Sequence, residues 1–222
     1  MQISQAAAMR YLVQMTGYEG PRSLEFLYHL VKRISPKQVL ELGTGFGASA
    51  AYMASAIGTG QVITVDNYDG GYAVDPQVIK ANMLPLGLDG KIVFVKGDTR
   101  KARTALAAAR IKITPELVFM DADHSYNGIL AEYNEVLPLL PQEHVIVVDD
   151  LIANLPDLRS FMVDLMGRYE YCFSVKSLHW GMAVACTNKL YMKETMAAVD
   201  DVEKVDAESV RQDYSSASDK RS

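Results

Sequence analysis

Acidic residues stand at the ends of several apolar runs that have the length of buried strands. The segments ELGTG, VDNYD, KGDT, MDADHS and VVDD each accompany such a run, and four of the five place an acid at or just past its end. In an open sheet of parallel strands the carboxyl ends meet at one edge, where ligands bind. The spacing therefore predicts a site at this edge that is built largely from carboxylates.

Three of these carboxylates suggest a metal site. Asp121 ends one predicted strand, and Asp149 and Asp150 end the next. Carboxylate oxygens are the ligands that Mg²⁺, Ca²⁺ and Mn²⁺ prefer, and the absence of cysteine from these loops argues against a structural zinc site. Adjacent side chains of a strand point to opposite faces, so Asp149 and Asp150 can bind one ion only if the chain has left strand geometry by Asp150.

Helix capping is the alternative role for acids in these loops. Asp149 or Asp150 can cap the segment that follows, and Asp123 and Ser125 precede a predicted helix at 126–139. Aspartate and serine are preferred N-cap residues because their side-chain oxygens accept hydrogen bonds from the free amides of the first turn. We expect one of the latter two residues to cap that helix.

A glycine-rich turn follows the first predicted strand. The segment VLELGTGFGASA, Val39–Ala50, runs from the strand through three glycines into a helix-forming stretch. Glycine allows positive φ and the close approach of another group, and the free N–H groups of a first helical turn bind anionic or polar ligands. The turn predicts a nucleotide-type cofactor. Gly43-x-Gly45-x-x-Ala48 also fits the dinucleotide fingerprint, which alone is weak evidence for NAD.

Three acids help to choose between the possible cofactors. Asp66 ends the second predicted strand, where a carboxylate binds the ribose of NAD and of S-adenosylmethionine equally well. Glu41 directly precedes the turn, and a carboxylate there opposes a pyrophosphate but suits ammonium and sulfonium charges. Asp98 follows the third predicted strand and can accept a hydrogen bond from an adenine amino group. Together they predict S-adenosylmethionine.

The elements that position these residues alternate along the chain. Helical spacing covers 3–16 and 22–34, and after Pro36 short apolar strands alternate with amphipathic helices. This alternation predicts a doubly wound, mostly parallel, Rossmann-like α/β sheet with helices on both faces. The runs YEYCFSV and GMAVACT complete seven strands and predict an antiparallel hairpin at one edge. The other predicted strands are 39–42, 61–66, 91–95, 117–121 and 144–149, and the predicted helices are 47–57, 76–84, 99–109, 126–139 and 157–167.

Composition limits the classes of protein. The chain has 222 residues, of which 49% are hydrophobic, and a net charge of -5, which argues against a nucleic-acid or anionic-membrane partner. Its two cysteines make no disulfide framework, and neither a signal peptide nor a membrane span is expected. We therefore expect a cytoplasmic protein. We expect one domain over 1–192, with the helices of 1–35 over the active site, and an acidic helical segment with a frayed tail over 193–222.

The five blocks quoted above resemble class I S-adenosylmethionine-dependent methyltransferases over roughly residues 20–190. Within that class the layout is similar to the metal-dependent catechol and caffeoyl-CoA O-methyltransferases and their bacterial relatives that act on secondary metabolites. The resemblance implies a small hydroxylated substrate and a homodimer. It also implies cofactor contacts: the methionine end would meet Glu41, Gly43, Gly45 and Ser49, the ribose Asp66, the adenine Asp98, and Asp121 would also lie at the cofactor.

The resemblance further assigns the metal ligands and a candidate base. The matching ligands are Asp121, Asp149 and the next residue, which is typically Asn in the family and is Asp150 here. Relatives usually have a lysine at the position of His124, where it takes the proton of the substrate hydroxyl. His124 is an adequate base near neutral pH, and an outer-shell role in holding Asp149 is the alternative.

The function that these residues predict is divalent-metal-assisted methyl transfer to a hydroxyl of a small molecule. A metal-independent N-, C- or O-methyltransferase with His124 as its base is a second possibility, and a non-catalytic adenosine-binding module is a third. The loop NYDGGYAVDP, with Tyr68 and Tyr72, suits either a lid or an exposed loop. His179 and Trp180 suit either a substrate cover or a hairpin turn.

Overall fold

The computed structural model describes residues 21–69, 74–88, 90–151, 156–176, 178 and 181–218, with side chains described from Arg22 to Glu203 within those ranges. The predicted helix at 3–16 lies outside the described residues. So do Tyr72, His179 and Trp180, and the structure therefore does not address their predicted roles.

The described residues form a seven-stranded sheet. Its order is β3-β2-β1-β4-β5-β7-β6, and the first five strands of this order run parallel. The predicted fold class is confirmed. The strands are β1 (Gln38–Leu42), β2 (Gln61–Asp66), β3 (Ile92–Lys96), β4 (Leu117–Met120), β5 (Val145–Val148), β6 (Tyr171–Val175) and β7 (Met182–Cys186).

Seven helices lie beside these strands in the described residues. They are α1 (Pro21–Ile34), α2 (Ala48–Ala56), α3 (Pro76–Met83), α4 (Ala102–Ala108), α5 (Tyr126–Val136), α6 (Pro156–Arg168) and α7 (Lys189–Ser218). Two predicted helices are shorter than expected because their ends wind more tightly: 3₁₀ turns occupy Thr99–Lys101 before α4 and Leu137–Leu139 after α5.

The antiparallel strands form the predicted edge hairpin, but in an order that the sequence pattern does not specify. Strand β7 pairs antiparallel with both β5 and β6, so β6 is the outermost strand. In this arrangement Val148, at the carboxyl end of β5, pairs with Ala183 at the beginning of β7. The start of the last strand therefore lies beside the edge where the acids end their strands.

Two apolar layers enclose the sheet. Alternate strand residues face opposite sides, as the twofold repeat of a strand requires: Val39 packs with α1, α2 and α7, whereas Leu40 and Leu42 pack with α4, α5 and α6. In α1 the buried residues Leu24 and Leu27 recur at helical spacing. Both faces of the sheet are covered, as expected for a parallel sheet.

The last helix begins at Lys189, four residues before the predicted acidic segment, and packs on α1. Arg33 bridges the two helices, with Nε 2.8 Å from Asp201 Oδ2 and Nη1 3.4 Å from Glu194 Oε2. Ala198 and Val202 of α7 are at most 1% exposed and join the core on that side of the sheet. None of the helices within the described residues is long and apolar enough to cross a membrane.

Candidate active site

A cavity of about 660 Å³ lies at the carboxyl edge of the sheet. Residues that follow β1, β2, β3, β4 and β5 line it, together with the first turns of α1 and α2. The sequence-predicted residues Gly43, Gly45, Ser49, Asp66 and Asp98 all lie in its wall, as do Asp121, His124 and Asp149. Residues that are far apart in the chain therefore share one cavity.

The glycine turn depends on close approach between two loops. Gly43 has φ 93°, and a Cβ at this position would lie 2.3 Å from the carbonyl oxygen of Asp121. Gly47, at φ 81°, would place a Cβ 2.5 Å from Ile79. Any other residue at Gly43 would push the glycine turn away from the loop that carries Asp121. Gly43 thus brings together the two parts of the cavity that the sequence assigns to cofactor and metal.

Asp66 holds the glycine turn in place. Its Oδ2 accepts hydrogen bonds from the N–H groups of Thr44 at 2.7 Å and Gly45 at 3.3 Å, and its Oδ1 accepts one from Tyr68 at 2.7 Å. Each carboxylate oxygen can accept more than one hydrogen bond. The carboxylate that the sequence assigns to a ribose therefore also organises the backbone of the turn.

Glu41 lies beneath the turn and does not line the cavity, unlike the expectation for a residue at the methionine end. It is fully buried, and its Oε1 accepts a hydrogen bond of 2.6 Å from Ser49. Burial raises the pKa of Glu41 to about 8, so this carboxyl group is largely protonated at neutral pH. The sequence argument against a pyrophosphate depends on a negative charge at Glu41, and this charge is therefore mostly absent. Ser49, in contrast, does line the cavity.

A hydroxyl network beside Glu41 was not predicted from the sequence. Thr44 Oγ1 lies 2.6 Å from Thr64 Oγ1 and 3.2 Å from the hydroxyl of Tyr68. Burial raises the pKa of Tyr68 to about 12, so its hydroxyl stays protonated. The network ties the glycine turn to β2. The only sequence feature that could have indicated this network is a threonine between two glycines, which is a common turn composition.

Asp98 has a partner that the sequence analysis did not consider. It caps the 3₁₀ turn at Thr99, and its Oδ1 and Oδ2 accept hydrogen bonds from Arg100 Nε and Nη2 at 3.0 and 3.2 Å. Hydrogen bonding to Arg100 lowers the pKa of Asp98. Both side chains line the cavity, so any ligand on this side meets an aspartate–arginine pair instead of an isolated carboxylate.

The acids after β4 and β5 converge on His124. Its Nε2 lies 3.6 Å from Asp121 Oδ1 and 3.3 Å from Asp150 Oδ2. Interaction with Asp121 raises the pKa of His124 and Asp150 adds to this effect, whereas burial opposes it. Burial raises the pKa of Asp121 in turn. The three ligand atoms lie within 4.8 Å of one another, close enough for one metal ion.

Asp149 and Asp150 occupy different positions around this group. Asp150 has φ 61°, so the chain has left strand geometry there, which is the condition that the sequence analysis set for both acids to bind one ion. Asp149 is 5% exposed, its Oδ1 accepts a hydrogen bond of 2.9 Å from the Asp150 N–H, and it lines the cavity. Burial raises its pKa well above the ordinary value, and Asp121 and Asp150 raise it further. His124, and not Asp149, completes the close group with Asp121 and Asp150.

The capping prediction is confirmed for Ser125. It is the N-cap of α5, and its Oγ accepts a hydrogen bond of 3.1 Å from the Gly128 N–H. Asp123 supports the cap, because its Oδ1 accepts hydrogen bonds from the N–H and Oγ of Ser125 at 2.9 and 2.7 Å. The loop that carries His124 is thus fixed to the start of α5.

The cavity also has an apolar wall that the sequence analysis did not predict. Leu24 and Leu27 of α1, Phe119 of β4 and Met182 of β7 line the cavity. The strand pattern of β4 indicates that Phe119 is buried, but only the order of the strands brings Met182 to the same cavity. The cavity therefore combines a carboxylate-rich side with an apolar side, as small-molecule sites commonly do.

Comparison with known proteins assigns the chain to a family. Residues 40–151, which include every strand end described above except those of the hairpin, match a family model described as a methyltransferase domain. The chain belongs to this methyltransferase family. The resemblance noted in the sequence is thereby confirmed at the level of the family.

Curated relatives match part of the chain. Rhamnosyl O-methyltransferases of Mycobacterium bovis and Mycobacterium tuberculosis are 32% identical over 132 residues, which is 56% of this chain and 50% of the relative. The chain thus spans about half the length of the curated relatives it matches.

Solved structures show the same fold over most of the chain. An O-methyltransferase from Bacillus cereus, solved with S-adenosylhomocysteine, has a TM-score of 0.64 and 19% identity, covering 84% of this methyltransferase and 93% of the other chain. An O-methyltransferase of tomaymycin synthesis from Streptomyces achromogenes, solved with S-adenosylmethionine, has a TM-score of 0.63 and 17% identity, covering 84% and 92%. At these identities the likeness shows a shared fold.

Proposed function

We propose that this methyltransferase transfers a methyl group from S-adenosylmethionine to a hydroxyl group of a small molecule, with the help of a divalent cation. The observation that carries this proposal is the convergence of Asp121, His124, Asp149 and Asp150 in and beside the cavity that the glycine turn also lines. A cofactor turn and a cluster of hard ligands within one cavity suit metal-assisted methyl transfer. The names of the curated relatives and of the fold neighbours, which are O-methyltransferases, support the choice of oxygen.

The residues of the glycine-turn side would hold the cofactor. Asp66 keeps acceptor capacity for ribose hydroxyls while it holds the turn amides, and Ser49 stands at the first turn of α2. Asp98 and Arg100 would face the adenine. S-adenosylmethionine supplies the methyl group and a sulfonium leaving group, so the task of this side of the cavity is to orient the methyl toward the acceptor oxygen.

The residues of the acid side fit a divalent cation. Their donors are carboxylate oxygens and one imidazole nitrogen, a set that suits Mg²⁺ or Mn²⁺. The three carboxyl groups of Asp121, Asp149 and Asp150 lie close together, and the pKa values of Asp121 and Asp149 are raised. A bound cation would offset this accumulation of negative charge. When bound, the ion would stabilise the deprotonated acceptor oxygen and position it. We propose Asp121, Asp149 and Asp150 as its ligands, with His124 close enough to join them.

His124 would serve as the base when it does not bind the ion. The acceptor oxygen forms a bond to the methyl carbon as the carbon–sulfur bond breaks, and the hydroxyl proton passes to Nε2 of His124. The imidazole must be neutral to accept this proton. Because Asp121 raises the pKa of His124, methyl transfer should slow as the pH falls through that raised value.

The acceptor should carry a hydroxyl beside a second oxygen. Two neighbouring oxygens can chelate one ion, and both catechols and sugars with vicinal hydroxyls have this geometry. The curated relatives act, by their name, on a rhamnosyl group, which makes a sugar hydroxyl a candidate acceptor beside a phenolic one. The apolar wall of Leu24, Leu27 and Phe119 would contact the ring of either.

A metal-independent mechanism is a second candidate, and a specific observation favours it. His124 lies between Asp121 and Asp150, so a protonated imidazole can itself supply the positive charge that a metal would bring. In that case neutral His124 accepts the hydroxyl proton as the oxygen bonds to the methyl carbon and the carbon–sulfur bond breaks, and the two acids stabilise the imidazolium that forms.

Methyl transfer in the presence and absence of a chelator distinguishes the two mechanisms. Purified protein would be incubated with labelled S-adenosylmethionine and a panel of catechols and rhamnosides, with EDTA or with added Mg²⁺ or Mn²⁺. Loss of activity in EDTA and recovery with metal would support the metal-dependent proposal, whereas full turnover in EDTA would favour the second candidate. Thermal stabilisation by NADH but not by S-adenosylhomocysteine would contradict the cofactor assignment.

A further inference from the structure

One face of α5 supports two separate parts of the cavity wall. Gly128, Glu132 and Glu135 are spaced by four and three residues, so they lie on one face of the helix. Gly128 packs against Asp123, Glu132 accepts a hydrogen bond from Thr99, and Glu135 accepts one from Arg103. The face therefore contacts both the segment after β3 and the segment after β4.

Glu132 is an unusual residue for this face. It lies among the apolar residues that α5 packs on the sheet and is fully buried. Its Oε1 accepts a hydrogen bond of 2.5 Å from Thr99 Oγ1, and its Oε2 is buried without a hydrogen-bond partner. Burial raises the pKa of Glu132 to about 7. A buried carboxyl group with an unsatisfied oxygen destabilises a fold, so core packing does not account for it.

The partner of Glu132 belongs to the cavity wall. Thr99 lines the cavity between Asp98 and Arg100, which also line it. The hydrogen bond from Thr99 is the contact through which Glu132 anchors this segment, because the side-chain hydrogen bonds of Asp98 and Arg100 join these two residues to each other. This is the side of the cavity that the proposed function assigns to the adenine.

The other side of the same helix face carries the loop with His124. A Cβ on Gly128 would lie 2.0 Å from Cγ of Asp123, so the Asp123 carboxyl rests directly on the helix there. Asp123 and His124 are also close enough to Glu132 to change its pKa in opposite directions. Glu132 thus lies behind both segments at once.

We propose that Glu132 is a positioning residue that fixes the segment of Thr99 relative to the loop of Asp121–His124, so that occupation of the adenine side and of the metal side of the cavity are coupled. This inference rests on the proposed function, because it names the ligands of the two sides. Glu132 itself touches neither ligand. It acts through the hydrogen bond from Thr99 and through the helix face that also supports Asp123.

Variants of the whole chain test the role of Glu132. Glu132→Leu removes the acceptor at similar size, Thr99→Val removes the donor from the other side, and Glu132→Gln keeps an acceptor. Glu135→Gln is the matched control, since Glu135 holds Arg103 on the same helix face but at the surface, accepting hydrogen bonds from its Nη2 at 3.0 Å and its backbone N–H at 3.1 Å. Affinity for S-adenosylhomocysteine would be measured by calorimetry with and without Mn²⁺, and Mn²⁺ affinity by electron paramagnetic resonance.

The proposal makes distinct predictions for these variants. In the wild type, Mn²⁺ should tighten S-adenosylhomocysteine binding by about fivefold or more, the lower range of a typical coupling between sites. Glu132→Leu and Thr99→Val should each weaken S-adenosylhomocysteine binding by about tenfold, the size of one lost hydrogen bond, and should remove the coupling. Glu132→Gln and Glu135→Gln should retain it. The double variant should be no worse than either single one, because both changes delete the same bond.

Other outcomes would overturn the proposal. Unchanged coupling in folded Thr99→Val would exclude the positioning role even if Glu132→Leu does not fold. Additive losses in the double variant would show that the two residues act separately. If the wild type binds S-adenosylhomocysteine, and Glu132→Leu binds it with the same affinity and the same coupling to Mn²⁺, this inference alone would be refuted. A wild type that binds no S-adenosylhomocysteine would refute the proposed function and this inference together.

Discussion

Two cavities of nearly equal volume lie at opposite ends of the sheet. The cavity at the carboxyl end has about 660 Å³, and a cavity at the amino end, lined by Lys37, Gln38, Lys91 and Glu116 among others, has about 630 Å³. Both contain charged and polar side chains. Volume and the presence of charged residues therefore do not by themselves distinguish a candidate active site from a structural cleft in this protein.

The two ends differ in what their polar side chains contact. At the amino end, Glu116 Oε2 accepts hydrogen bonds from the N–H groups of Lys37 and Gln38 at 3.1 and 2.9 Å. Lys91 Nζ donates to the carbonyl of Ile57 at 2.9 Å. These side chains satisfy backbone groups at the beginnings of strands and at the end of α2, as folded proteins generally require.

At the carboxyl end, acids face one another. Asp121 and Asp150 add to the rise in the pKa of Asp149 that burial causes, and His124 lies within 3.6 Å of Asp121 and of Asp150. Grouping like charges in this way costs stability and is typical of functional sites. The comparison teaches that the proposed functional end is the one where carboxylates lie beside one another and beside His124, in addition to carboxylates such as Asp66 that hold backbone N–H groups. Five predictions test this contrast, from the largest expected effect to the smallest.

Asp121→Ala should have the largest effect. It removes a proposed metal ligand and the main partner of His124, so turnover should fall by more than about 10⁴-fold, since both positioning and charge stabilisation are lost. Without added metal, affinity for S-adenosylhomocysteine should change by only about threefold, or roughly 0.6 kcal/mol. Steady-state rates and calorimetry measure the two effects. Retention of even a tenth of the turnover would remove Asp121 from the chemistry.

His124→Gln tests the base. Turnover should fall by about 10²–10⁴-fold, the range for loss of a general base. The wild-type rate should decrease as the pH falls through the raised pKa of His124, because the protonated imidazole cannot accept the hydroxyl proton, and the variant should lack this decrease. Recovery of the rate by excess Mg²⁺ would instead indicate that His124 orients a metal ligand.

Glu41→Gln tests the buried carboxyl group beneath the glycine turn. The pKa of Glu41 is raised from 4.5 to about 8, so in the unfolded chain it loses its proton at lower pH than in the folded protein. Wild-type stability should therefore fall by a few kcal/mol as the pH rises between these two values. The glutamine side chain of the variant cannot ionise. The unfolding free energy of the variant should therefore rise relative to that of the wild type over the same pH range. Parallel pH profiles from urea unfolding would contradict the burial argument.

Asp66→Ala tests the hold on the glycine turn. The variant loses three hydrogen bonds from backbone N–H groups and the proposed ribose acceptor. We expect affinity for S-adenosylhomocysteine to fall by at least about tenfold, as for the loss of one net hydrogen bond to a charged group. Calorimetry measures this change. Unchanged affinity would show that the turn keeps its shape without the carboxylate and that Asp66 binds no ligand.

Glu116→Gln should have the smallest effect, and it is the matched control for the amino end. The substitution keeps one acceptor but removes the charge that receives two N–H groups, so the unfolding free energy should fall by about 1 kcal/mol. Turnover and cofactor affinity should stay at wild-type values. A tenfold loss of turnover would mean that the amino end takes part in function and would end the contrast between the two cavities.

Much of the fold was determined by the sequence alone. The alternation of apolar strands with amphipathic helices gave five strands within one or two residues of their observed bounds, as at β2, where 61–66 matches Gln61–Asp66. The glycine turn and the acids after β4 and β5 were likewise found from the sequence. These features depend on local conformational preferences and on the order of residues along the chain. In a parallel sheet, that order is enough to place strand ends at one edge.

Only the tertiary structure decided how the side chains at that edge face one another. The sequence could not show that Glu41 lies under the turn or that Asp150 leaves strand geometry at φ 61°. It also gave no indication that His124, and not Asp149, forms the close group with Asp121 and Asp150. The hydrogen bond between Thr99 and Glu132 joins residues 33 positions apart. Such contacts depend on the packing of α5 against the loop after β3, and local sequence carries no information about that packing because the partners meet only when the whole sheet has formed.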